Sequence, residues 1–512
     1  MKHLTSFLLL FPVLAGILLG GCQGNGKMVH YQAIPANATM LYSVHLETIL
    51  QTSGVGDKIA EHASRSAVHP ALTGILKDRA SLGLDLDDLL FFLANAEAPA
   101  GVNFPRVGFA ARITDHAKFL KTLGLLKDSG RLSITKKKDY SVAIVSGMEI
   151  SLTFNKKVVV GLAENDREEA FASQLLAQSK DKSILADEKI ARAFAGKEEF
   201  KGYIDFRTFS SFLPVDLALP EAINMAGIAK LGFPDGAIRL ETRVLSADST
   251  LLARQAKQNR PATLSQLAYF PDSPLFISTT NVNGEEAYTF MQKFFNEAAR
   301  AIPPSMNTSI NTPVIETLSK IFEIYNSIDG DFTLGILPGM PVPSFLLYAK
   351  VKDTRLLNVF NKFLSREYIP LVTNRTELAP DNYRVDLSFP GLSLFYGVKD
   401  GQFVLTNEEK RYANANAPTE NSFKDSALAK RIPKGTTGYF LLDFQPVLQT
   451  VSVVTGMLGH AIPPQITETL SRVRYLEGFV ESEGNLILQV EFSDPKTNVL
   501  KLIGEIIKFE IH

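Results

Sequence analysis

Three sets of residues have types and spacings that could do chemistry. Asp205 and Asp443 each precede Phe or end a strand-like apolar run. Two carboxylates brought together could divide acid and base roles. A helical pattern follows each, however, so the simpler expectation is that each caps the helix after it. His45 and Glu47, two residues apart, would share one face of a strand and form a minimal metal-ligand pair. His30, His45, His62 and His69 cluster loosely without i, i+4 spacing, and read as surface or internally bonded histidines. Asp85, Asp87 and Asp88, with Asp329 and Asp331 as counterparts later in the chain, offer calcium-type oxygens. Calcium needs about six of them, and a polar turn before a buried strand is the simpler expectation.

The motifs that would name a reaction are missing: no Gly-x-Ser-x-Gly elbow, phosphate loop, His-Glu-x-x-His or EF-hand loop occurs. Gly54-Val55-Gly56 follows a helix pattern instead of a strand, which suits a helix end and turn. No catalytic residue, metal ligand or cofactor is therefore assigned. The net charge is −1, so no basic field exists to hold nucleic acid, and no nucleic-acid partner is expected. Trp is absent while Phe reaches 34 residues, which lowers the expectation of a sugar-stacking platform.

The one residue in a specific chemical context is Cys22, the only cysteine of the chain. Met1-Lys2-His3 is a short basic start, and Leu4 to Leu19 is an apolar run broken by Pro12 and Gly16. Leu19-Gly20-Gly21-Cys22 follows directly. The run is shorter than the roughly 20 apolar residues a membrane span needs, and the layout is that of a secretory signal peptide. The cleavage site resembles the bacterial lipobox, in which the cysteine thiol is acylated, with palmitate-type chains, and becomes the mature N-terminus. With Cys22 lipidated, the folded part has no thiol for disulfides, nucleophilic catalysis or metal binding.

The expected organisation is a signal peptide over 1–21, a flexible tether over 22–33, and two repeats of one domain over 34–260 and 261–512. Ala111-Arg112-Ile113-Thr114-Asp115 recurs as Ala349-Lys350-Val351-Lys352-Asp353, and Gly202-Tyr203-Ile204-Asp205-Phe206 recurs loosely as Gly438 to Phe444. Pro35 matches Pro271 and Ser151-Leu152 matches Ser393-Leu394, all at a nearly constant separation of roughly 240 residues, a repeat signal. In each copy a strand ends in Asp115 or Asp353, placed to cap an amphipathic helix. In the second copy Leu356, Phe360 and Phe363 fall on one helix face. Hairpins turn at Asn155-Lys156-Lys157 and Lys399-Asp400-Gly401, and the alternating runs Ile238 to Val244 and Leu486 to Phe492 read as strands with one face buried. The fold class expected is α+β: two tandem copies of a mostly antiparallel sheet with helices packed on one face.

The lipobox, Ile34-Pro35 before a strand and Ser53-Gly54-Val55-Gly56-Asp57-Lys58 after the first helix resemble an uncharacterised Bacteroidetes lipoprotein family, domain of unknown function 4836. The resemblance implies a Gram-negative envelope and brings no catalytic residues. The segment after Cys22 holds no acidic residue, which points to a periplasm-facing lipoprotein of the outer membrane. The functional expectation is a non-catalytic, lipid-anchored envelope protein that binds a protein, peptide or apolar ligand. An envelope hydrolase with an unrecognised site and a glycan-binding lipoprotein of an uptake system stand as alternatives. The Pro/Ser/Asn/Thr-rich loop from Ala301 to Pro313, with Met306 and Ile310 inside it, is the candidate partner-contact loop. Ligand, partner and oligomeric state are not legible.

Overall fold

The computed structural model describes residues 28–65, 70–96, 104–128, 130, 132–145, 150–163, 168–209, 225–245, 257–301, 324–339, 342–365, 369–389, 391–449, 468, 470–481 and 484–507. Cys22, His69, Met306 and Ile310 lie outside these residues. The chain divides into two compact units. Unit one is Met1–Asp216, Met225–Ile238 and Lys496–His512; unit two is Leu217–Asn224 and Arg239–Pro495. Among the described residues no helix is long and apolar enough to cross a membrane.

Unit one contains β1 (Ala38–Val44), β2 (Leu89–Ala96), β3 (Phe104–Arg112), β4 (Leu132–Lys136), β5 (Ser141–Val145), β6 (Ile150–Phe154), β7 (Val158–Ala163), β8 (Phe200–Asp205) and β9 (Ala226–Gly232). Every pairing is antiparallel, and the spatial order is β4-β5-β6-β7-β3-β2-β1-β8-β9. The helix His116–Asp128 follows β3, and Asp115 accepts from the Ala117 and Lys118 amides at 3.0 Å each, which satisfies the orphan donors of its first turn. Phe119 and Leu123 of this helix pack with Ala111, Ile113 and Phe154. Gly54 ends the helix Leu46–Ser53 in the left-handed region at φ 67°. The C-terminal helix Val499–Ile507 belongs to unit one and packs on Leu46–Ser53, with Lys58 Nζ donating to Gly504 O at 3.1 Å. It therefore does not close the second half of the chain, where the 261–512 boundary placed it.

Strand β10 (Ala237–Leu245) starts in unit one and ends in unit two. Unit two contains β11 (Asn259–Arg260), β12 (Phe276–Asn283), β13 (Ile328–Leu337), β14 (Ser344–Val351), β15 (Val372–Ala379), β16 (Asn382–Leu387), β17 (Ser393–Lys399), β18 (Gln402–Thr406), β19 (Thr436–Asp443), β20 (Val473–Glu481) and β21 (Leu486–Phe492). Its order is β15-β16-β17-β18-β14-β13-β12-β19-β20-β21, again antiparallel throughout. Asp400 and Gly401 turn the β17–β18 hairpin with φ 49° and 73°, the two positive values of a type I′ turn. On β20 the Cα of Gly478 lies under the ring of its cross-strand partner Phe440, a place where any Cβ would strike the ring.

Three expectations are corrected. Helices cover both faces of the unit-two sheet, not one. On β14, Leu346 and Tyr348 pack with Tyr412 of the helix Glu409–Ala413, whereas Ala349 and Val351 pack with Leu356 and Leu357 of the helix Arg355–Phe363. Successive strand residues point to opposite faces, so the two helices lie on opposite sides. On the second helix Phe363 is 55% exposed, and the buried stripe is Leu356, Leu357, Phe360 and Leu364. Its centre falls between Leu356 and Leu357, which leaves Phe363 at the margin. Finally, residues 30–33 are not tether: Tyr31–Ala33 form a 3-10 turn with His30, Tyr31 and Ala33 buried.

Candidate functional site

Asp88 meets both buried side chains of the N-terminal segment, His30 and Tyr31. Its Oδ1 accepts from Tyr31 Oη at 2.6 Å and from Ser43 Oγ at 2.8 Å, and its Oδ2 lies 3.2 Å from His30 Nε2 without hydrogen-bond alignment. Burial pushes the Asp88 carboxyl up, but the contacts from His30, Tyr31 and Lys201 outweigh it and hold the group at about 2. Ser43 donates to the carboxylate, not to a histidine, which is not the wiring of an activated nucleophile. Lys201, opposite Ser43 on β8, donates to Phe194 O at 2.9 Å and Gly196 O at 3.0 Å and lies 3.3 Å from His45 Nε2. Burial lowers the pKa of both, and in His45 the Lys201 charge adds to it. Through Asp88, which also holds Ser43 of β1, the N-terminal segment is pinned to the sheet.

The other carboxylates singled out by spacing go separate ways. Asp85 holds Arg112 (Nε 3.1 Å), Asp87 accepts from the Thr48 amide at 2.8 Å, and Glu47 pairs with Arg79 at 2.8 Å, away from His45. Asp205 accepts from the Arg207 amide at 2.9 Å and pairs with its guanidinium; Asp443 accepts from the Gln445 amide at 3.1 Å. His62 is exposed. Among the described residues no group of three or more His, Cys, Asp or Glu converges as a metal site.

Unit two carries a buried carboxylate that spacing did not single out. Glu477 on β20 is 1% exposed, accepts from Tyr439 Oη at 3.0 Å, and is ion-paired with Arg431, whose Nη1 also reaches Glu491 at 2.9 Å. Burial raises the Glu477 carboxyl against the pull of Arg431.

A cleft lies at one end of the unit-two sheet. In the core a row of buried side chains runs across four strands: Thr279, Thr333, Tyr348 and Val404. One step further along the same faces, Asn281 stands opposite Asp331 and Lys350 opposite Gln402. The apolar face thus ends in a polar row. The ladder slips between Ile328 and Phe332, where Gly330 adopts φ 134° and the Lys350 stem packs against it. Such bulges re-aim the neighbouring side chains.

A cavity of about 430 Å³ opens over this row, lined by Arg260, Gln266, Asn281, Asp331, Lys350 and Gln402 among others. Asp331 is held by the Thr263 amide at 3.1 Å, by Ser265 Oγ at 3.3 Å and by the Thr263 hydroxyl. Arg260 pairs with Asp329 at 2.7 Å. Gln266 Nε2 donates to Gln402 Oε1 at 3.2 Å, and Asn281 Nδ2 donates to Pro261 O at 3.1 Å. Gln266 Oε1 and Asn281 Oδ1 are buried and meet no donor among the described residues. Buried acceptors without donors thus lie in a lining that also holds Arg260 and Lys350, an arrangement suited to a donor-bearing group. Asp329 and Asp331 were legible as counterparts of Asp85–Asp88; Gln266, Asn281 and Gln402 were not. Their signal is a polar residue in the inward phase of a strand or turn that otherwise buries apolar residues.

Crystal forms I and IV of TP0453 are similar to the chain at 9% and 10% identity, covering 43% and 42% of this chain and 80% and 79% of that chain, with a TM-score of 0.26 in each case. No curated protein matches the chain. The family model described as a domain of unknown function, DUF4836, matches residues 31–491, nearly the whole of what is described above, and the chain belongs to that family.

Proposed function

We propose that the chain is a non-catalytic, lipid-anchored protein of the cell envelope that binds a protein or peptide in the unit-two cleft. The observation that carries the binding part is the acceptor-lined cavity above Asn281 and Asp331. Its polar lining favours a peptide over an apolar ligand, since buried acceptors call for donors. The buried Ser43, His30 and Tyr31 each contact the half-buried Asp88, which supports a structural role for them. The anchoring part rests on the signal peptide and lipobox ending at Cys22, in an outer-membrane, periplasm-facing setting. The loop holding Met306 and Ile310 is proposed as a further contact surface. We also read 34–260 and 261–512, the helix Val499–Ile507 excepted, as two copies of one domain: β1 and β12 each lie at the same place in the same strand order, and Asp115 and Asp353 each accept from an amide at the start of the helix after the third strand.

Anchoring is tested by Cys22→Ala. The variant is expected to leave the membrane fraction or to accumulate unprocessed in native cells. Efficient processing with unchanged membrane association would refute lipidation at this residue. Binding is tested by crosslinking from the cleft in the same cells, with adducts identified by mass spectrometry.

A further inference from the structure

We propose that the unit-two cleft takes a primary ammonium group, presented by a peptide as a lysine side chain or as its α-amine; this rests on the reading that a peptide binds there. Three observations converge. Asn281 is 6% exposed and its amide orientation is fixed, because Nδ2 must face the Pro261 carbonyl. That leaves Oδ1 as the end without a donor. Gln266, 3% exposed, adds a second orphan oxygen from the facing segment. Asp331 takes three donors from Thr263 and Ser265, and a carboxylate has about four acceptor sites.

Acceptors of this kind suit a group made only of donors. An ammonium has three donors and no acceptor, whereas a neutral amide would bring its own carbonyl against the orphan oxygens. The charge balance agrees: Asp329, Asp331 and Asp400 face Arg260 and Lys350, so the lining carries net negative charge. Arg260 is already committed to Asp329. Lys350, exposed and without an ion-pair partner among the described residues, opposes a second cation and confines the ligand's ammonium to the Asn281–Asp331 side.

The test titrates the full-length chain in detergent micelles with three peptides by calorimetry. N-acetyl-Gly-Lys-Gly-amide carries only the side-chain ammonium, Gly-Gly-Gly-amide only the α-amine, and N-acetyl-Gly-Gly-Gly-amide neither. At least one of the first two is expected to bind about tenfold or more tightly than the third, and which one identifies the source. Asn281→Leu, of similar shape, should abolish that preference. Lys350→Met, at an exposed position, should strengthen it, which keeps the test open if the first variant fails to fold. Equal binding of the three peptides, sensitive to both variants, would overturn the ammonium assignment and leave peptide binding standing. Absence of any binding would overturn both. A preference unchanged in both variants would place the ammonium elsewhere and overturn the assignment.

Discussion

Asp88→Ala is expected to destabilise unit one by about 3–5 kcal/mol, because it leaves buried donors without their acceptor. Tyr31, His30 and Ser43 are all almost fully buried, whereas the Asp88 side chain is 23% exposed, so water replaces the lost carboxylate only in part. The pH dependence follows from the lowered carboxyl. A group held at about 2 in the folded state, below its unfolded value, contributes stability that is present above the unfolded value and is lost as pH falls through the folded one. The wild-type chain should therefore lose this contribution between about pH 4 and pH 2, and Asp88→Ala should not show that component. Hydrogen exchange gives the local check: amides of Ala33 and Ile34, bonded to His30 O and Tyr31 O at 3.0 Å each, should lose protection first. A loss under about 1 kcal/mol with protection unchanged would show that Asp88 does not hold the N-terminal segment.

The second large effect concerns Arg431. Replacing it by Met keeps the stem but leaves the Glu477 carboxylate buried with only Tyr439 as donor. Breaking a buried pair costs about 3–5 kcal/mol in general; Arg431 is 40% exposed, so solvent screening brings the expectation to about 2–3 kcal/mol. The sign of its pH dependence is opposite to that of Asp88. Glu477 is raised in the folded state, so its contribution is most favourable below the unfolded value and is lost as pH rises through the folded one. Without Arg431 the carboxyl rises further, so the variant's deficit should be large near pH 7 and shrink toward about pH 4.5. Denaturant unfolding at the two pH values measures this. A deficit that stays constant, or grows on acidification, would mean that Arg431 acts through packing alone.

Much of the architecture was written locally. Alternation placed β10 and β21 as strands, although neither buries one face as expected and every residue of β21 is half-buried; Asp400-Gly401 marked the hairpin, and Asp115, Asp205, Asp353 and Asp443 each accept from backbone amides just beyond them. These signals lie within a few residues of the structures they cause. The pairing of β7 with β3 is a long-range choice, and so is the face a helix covers. In β7 five consecutive residues, Val158 to Leu162, are buried, so the pattern offers no polar side to mark the outside. The polar sites were harder still. Lys201 and Glu477 sit in inward phases, and their partners Phe194 O and Arg431 come from other elements. Asn281 on β12 and Gln402 on β18 have two strands between them and meet over one cavity only once the sheet has formed.

Binding of a peptide or protein in the unit-two cleft is best tested by position-resolved photo-crosslinking in native cells. A photoreactive residue would replace Lys350 at the cleft or Phe363, which is exposed on the opposite face of the sheet. A discrete adduct is expected from position 350, absent from position 363 and lost when Asn281→Leu is added. No adduct from position 350, or the same adducts from both positions, would contradict binding in the cleft.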